Sequence, residues 1–142
     1  MRVDTSKSLQ ELEGQDWGEP SYPSHLVTEC HRLRRVPLQE LSPEDLRLLI
    51  GQEISLPYLV PLALDYLQDD PFVSGRNYPG DLLEFLLLVP RSFWSSNDEL
   101  HRRAIAVATK ANDQLQDERL GVVQSVPDSI VHCLHCFLKR DG

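Results

Sequence analysis

The chain lacks any long apolar run: its longest uncharged apolar stretch, Ile54 to Leu64, is broken by Pro57 and Pro61. That is far short of the ~20 residues needed to span a bilayer, so no membrane segment is expected. Cysteine is scarce and odd in number, with only Cys30, Cys133 and Cys136. The N-terminal MRVDTSKSLQELEGQDW has no apolar core of the kind a secretory signal carries. Together these predict a reducing, cytoplasmic setting without a disulfide framework. Glycine is limited to seven residues, and none stands in a GxGxxG or phosphate-cradling pattern. A nucleophile elbow and an HExxH zinc signature are also missing. The adjacent carboxylates Glu44/Asp45 and Asp69/Asp70 point apart on a helix and do not make an acid/base pair. No enzyme is expected, and no cofactor. Basic residues are few, 14 Lys and Arg against 22 Asp and Glu for a net charge of −8. A nucleic-acid partner is therefore disfavoured, because phosphate binding needs a basic surface.

What the 142 residues do hold is an ordinary globular composition, 41% hydrophobic and 25% charged, enough for one core without metals or disulfides. Residues 1–15 read as a flexible N-terminal segment and 16–142 as a single all-helical domain. Trp17 and Tyr22 anchor a turn-rich arm laid across the body, with Trp17 there for packing. Ser24 caps a helix in which Leu26, Val27, Cys30 and Leu33 recur at helical spacing before Pro37 closes it. In LSPEDLRLLIGQEI, Ser42 is the N-cap, Pro43 the first helical residue, and Glu44 and Asp45 favour the dipole of the first turn. Leu46, Leu49 and Ile50 make its buried stripe. Leu56, Leu59, Val60, Ala63, Leu64 and Leu67 fit a 3.6-residue period in the next helix, with Pro57 and Pro61 in its first turns. Asp69 and Asp70 sit at its C-terminus, where they oppose the helix dipole.

After a loop at FVSGRNYPG, Asp81 is the expected N-cap of LLEFLLLV. Five leucines without a β-branched residue before Val89 favour helix over strand, and such a run must be buried nearly all round. Two further helices follow. One is capped at Ser96 or Asn97 and lined by Leu100, Ala104, Val107, Ala108, Ala111 and Leu115, with Gly121 near its end. The other opens at the Ser125 to Asp128 capping outline and turns Ile130, Leu134, Phe137 and Leu138 inward. The expected fold is all-α, a compact bundle of about six helices around a central apolar helix.

Net charge is concentrated. Residues 37–84 hold the nine acids Glu40, Glu44, Asp45, Glu53, Asp65, Asp69, Asp70, Asp81 and Glu84 against Arg47 and Arg76 alone. Such a field can steer a basic partner. Arg32, Arg34 and Arg35 lie beside this span and are expected in ion pairs with carboxylates rather than on nucleic acid. His132, His135 and Cys136 would share a helix face, but a structural zinc site needs a fourth ligand from another segment, and Cys30 and His31 are the only sources. Buried cysteine and helix-end histidine explain the cluster without metal, so no metal site is assigned.

The order of short motifs carries a resemblance. Asp16-Trp17 is followed by Leu26-Val27, by His31-Arg32-Leu33-Arg34 with Pro37-Leu38, and by Glu44-Asp45-Leu46-Arg47 with Ile50 and Gln52. Then come Leu59-x-Pro61-x-Ala63-Leu64 with Leu67, Pro71 and Gly75, and Tyr78-x-Gly80-Asp81-Leu82-Leu83. Over about residues 12–89 the chain resembles the bacterial immunity proteins of contact-dependent growth inhibition (CDI) systems. The resemblance implies a cytoplasmic inhibitor of the toxin domain of a large surface-exposed exoprotein. Such toxins are frequently nucleases, whose electropositive active sites suit an acidic inhibitor. On that basis Glu53, Asp65, Asp69, Asp70, Asp81 and Glu84 are expected to form the partner-facing rim. Tyr58, Tyr66 or Tyr78 would supply an aromatic anchor, with Tyr78 placed in the site. The alternative from another class is a non-catalytic helical adaptor or regulatory protein that uses the same acidic face on another basic partner.

Overall fold

The computed structural model describes residues 4–18, 24–75, 77–117 and 126–141. Among these it contains eight α-helices and no β-strand. They are α1 (Leu9–Glu13), α2 (His25–Leu33), α3 (Pro43–Gly51), α4 (Leu56–Asp69), α5 (Asp81–Leu87), α6 (Arg91–Ser95), α7 (Asp98–Gln116) and α8 (Asp128–Asp141), with a 3₁₀ turn at Leu38–Glu40. No helix among the described residues is long and apolar enough to cross a membrane. The all-α expectation holds, and all six expected helices are present. Two short ones, α1 and α6, lie where the sequence reads as loose or as a lead-in, because five-residue helices are too short to show a period.

Local chemistry sets the helix ends. In α3, Ser42 Oγ accepts from Asp45 N–H (3.2 Å) while the Ser42 N–H donates to Asp45 Oδ2 (3.0 Å), a full capping box with Pro43 behind it. A second box opens α1, where Ser8 exchanges hydrogen bonds with Glu11, and Gly14 ends the helix at φ 65°. This short helix is held to the body: Leu9 is fully buried and the Gln10 N–H donates to Arg34 O (2.9 Å). The Leu38 and Gln39 N–H groups donate to Lys7 O and Thr5 O. Ser125 and Gly121 lie outside the described residues, as do Tyr22 and Arg76.

The core follows the periodicity of α3, α4, α7 and α8, whose expected stripes are buried except for Leu100 and Leu138, which are half-buried at its edge. Each leucine so buried is worth roughly 1.5–3 kcal/mol. Within α4, Pro61 removes the hydrogen bond to the Pro57 carbonyl, and Pro57 is exposed, so water can serve that carbonyl. Helix α5 packs on α3, α4 and α8 and buries Leu82, Leu83, Leu86 and Leu87. It is not apolar-buried all round. Leu88, where the helix ends in a turn toward Pro90, is 60% exposed. Trp94, on α6, is a core residue that stacks on His101 with ring centroids 5.6 Å apart.

Asp81 is not the N-cap of α5. Gly80 takes that position with φ 88°, and Asp81 is the first helical residue. The left-handed backbone favours glycine, and a Cβ there would lie 2.7 Å from Ile130 Cδ1. Gly80→Ala is expected to destabilise the protein by about 1–3 kcal/mol, measured as a lowered midpoint in urea unfolding followed by circular dichroism.

Candidate interaction surface

The seven residues singled out from the sequence separate into three places. The first is the junction of α3 and α5. Asp81 is 0% exposed, and its carboxylate accepts from the Gly75 N–H (2.6 Å) and the Asn77 N–H (3.1 Å), holding the 72–80 loop closed. Arg47 Nε lies 3.8 Å from Asp81 Oδ2 while the same guanidinium forks onto Glu44 (2.5 and 3.0 Å). Asp81 therefore has no surface to offer a partner; its work is internal. Glu84, half-buried one turn on, accepts from the Tyr78 hydroxyl (3.2 Å) and the Ser129 hydroxyl (2.9 Å), tying α8 to α5. Burial pushes the Tyr78 phenol above its ordinary range, and the Glu84 charge and hydrogen bond add to it.

The second place is the C-terminal half of α4. Asp65 and Asp69 are exposed one turn apart and line a cleft of about 250 Å³ with Leu38, Gln39, Leu41, Leu62 and Tyr66. Tyr66 is 37% exposed, and its hydroxyl donates to Leu41 O (3.1 Å). Asp65 holds Arg103 of α7 at 2.8 Å. Asp69 has no polar partner among the described residues. Asp70 caps the helix and accepts from the Phe72 N–H (3.0 Å). The dipole cost of these aspartates is offset from α7, where Lys110 Nζ donates to Gln68 O (2.7 Å) at the negative end of α4.

The third place is Glu53, exposed at φ 56° in the α3–α4 connection. It precedes the N-terminus of α4 whereas Asp69 closes it, a helix length of about 20 Å away. The seven residues therefore do not form one continuous rim. Sequence reading missed Leu38, Leu41 and Leu62 as cleft residues, since apolar side chains at core spacing carry no mark of a groove.

The basic stretch is used internally. Arg32 pairs with Glu29 (2.9 Å) and Arg35 lies 4.0 Å from Asp16. Arg34, 2% exposed, pairs with Glu13 and stacks 4.2 Å over the Trp17 ring. Cys30 is buried in α2, and burial raises its thiol pKa. On α8, His132 Nε2 and Cys136 Sγ lie 3.5 Å apart on the surface. Among the described residues no group of three or more His, Cys, Asp or Glu is arranged to hold a metal ion.

A family model of CDI immunity proteins matches residues 11–104, more than half of the chain. That span runs from α1 into α7 and includes the cleft and the Asp81 clamp. No curated protein and no solved structure matches the chain.

Two outcomes follow from this geometry. Asp81→Ala takes the buried acceptor away from the Gly75 and Asn77 N–H groups and from beside Arg47, which keeps Glu44, and is expected to cost about 2–4 kcal/mol of stability by urea unfolding. The raised Tyr78 pKa means that its contribution to stability is complete below pH ~10 and is lost as pH rises through the folded-state value. Tyr78→Phe should therefore show a shallower alkaline loss of thermal stability above that pH than the wild type, read by scanning calorimetry.

Proposed function

Because the chain belongs to the family of CDI immunity proteins, we propose that it binds a cognate toxin domain and neutralises it without catalysis. The toxin is the C-terminal domain of a large surface-exposed exoprotein, and the protein acts in the cytoplasm, where a delivered toxin meets it. The observation that carries this reading is the family match over residues 11–104.

The proposed target is a nuclease. Cutting a phosphodiester requires a positively charged active site, and an acidic protein competes for it or is steered to its border. The charge map supports that choice, with nine acids against two bases in residues 37–84. The toxin-facing surface is centred on Asp65, Asp69 and Asp70. All three are exposed, and Asp69 is free of polar partners among the described residues. Glu53 and Glu84 lie outside this centre, and Asp81 is buried at the junction of α3 and α5.

Co-expression with the toxin domain encoded beside this gene tests the reading. Survival of the cells and a complex that co-purifies are the expected result. Death of the cells with soluble, folded protein and no complex would remove the proposal. The triple change Asp65→Asn, Asp69→Asn and Asp70→Asn should slow association by roughly tenfold at low salt and flatten its salt dependence, measured by stopped-flow fluorescence.

A further inference from the structure

The cleft between the 3₁₀ turn and α4 has a chemistry more specific than an acidic patch. Its floor is apolar: Leu38 and Leu41 are each 2% exposed, and half-buried Leu62 joins them. Its rim is anionic, with Asp65 and Asp69 one helical turn apart. Beside them stands Tyr66, whose side chain is partly open to solvent while its hydroxyl is tied to Leu41 O. The ring is thereby held in place instead of swinging freely.

An apolar floor beneath a negative rim selects a side chain with an aliphatic stem and a cationic head. A guanidinium suits it better than an ammonium, because it stacks on an aromatic face and forks onto carboxylates. Asp65 already accepts a guanidinium from within the chain, Arg103 at 2.8 Å. Asp69, on the same side of α4, has an unused carboxylate among the described residues. At about 250 Å³ the cleft falls below the roughly 300–1,000 Å³ of small-molecule sites and is of side-chain size. An anionic group would be repelled by both aspartates.

We propose that this cleft is the socket for one arginine side chain of the toxin domain, a proposal that rests on the immunity reading. The acidic surface governs encounter and the socket governs residence. Insertion lays the arginine stem on Leu38, Leu41 and Leu62, its guanidinium against the Tyr66 ring and its N–H donors on Asp69.

The test is surface plasmon resonance of the full chain against the toxin domain encoded beside its gene. Tyr66→Ala and Asp69→Asn are each expected to raise the dissociation rate about tenfold. Tyr66→Phe, which keeps the ring, should stay within about twofold of wild type. Asp69 is exposed and unpartnered among the described residues, so Asp69→Asn reads binding without a folding penalty. An arginine-to-alanine scan of the toxin should find one arginine whose loss is non-additive with Tyr66→Ala. Unchanged dissociation in both Tyr66→Ala and Asp69→Asn, with wild-type complex formed, overturns the socket and leaves the immunity reading standing. Absence of a wild-type complex overturns both. Self-association of the free protein that Tyr66→Ala abolishes, with toxin dissociation unchanged, would assign the cleft to a second copy and overturn the arginine.

Discussion

A carboxylate that water cannot reach must find its donors and its counter-charge inside the protein, and Asp81 is that group here. It takes two backbone N–H groups from the 72–80 loop and stands beside Arg47 of α3. A side chain at Gly75 would press within 2.9 Å of the same carboxylate, so the loop backbone comes this close because glycine leaves room. The first residue of α5 is thereby joined to α3 and to the loop after α4. Removing a buried charge's partners costs far more than the pair gains over an apolar replacement. Arg34 plays the matching part at the other end of α4. It is buried, paired with Glu13 and 3.4 Å from Ser55 Oγ, and it binds α1 and the C-terminus of α2 to the start of α4.

Between these two buried charges, α4 runs with one face in the core and the other outward. Its inward face is leucine, valine and alanine; its outward C-terminal half carries Asp65, Tyr66 and Asp69. Carboxylates there are tolerated because α7 brings Arg103 and Lys110 alongside. A helix packed along one face is a better platform for recognition than a loop, since its side chains are positioned before the partner arrives.

Helices were legible wherever the chain repeats its apolar residues long enough, as in α3, α4, α7 and α8, and wherever caps are spelled out, as at Ser42. The short α1 and α6 were not, because one turn of helix is stabilised by what it packs on. Leu9 and Trp94 are buried by neighbours distant in sequence. Asp81 illustrates the limit best. An acidic residue before an apolar run reads as a helix cap or as surface charge, and only the folded loop shows that it is enclosed.

By itself the sequence determined the all-helical class, the buried stripes, the concentration of negative charge in residues 37–84 and the family, because each depends on residue order along the chain. Tertiary structure alone decided which acids are free. Glu44, Asp65, Asp81 and Glu84 have protein partners, whereas Asp69 has no polar partner among the described residues and stands beside a cleft to which another segment brings Leu38 and Leu41. The physical reason is that a charge's role depends on its burial and on what donates to it. Both are set by contacts between segments as far apart as Asp65 and Arg103, which periodicity does not encode.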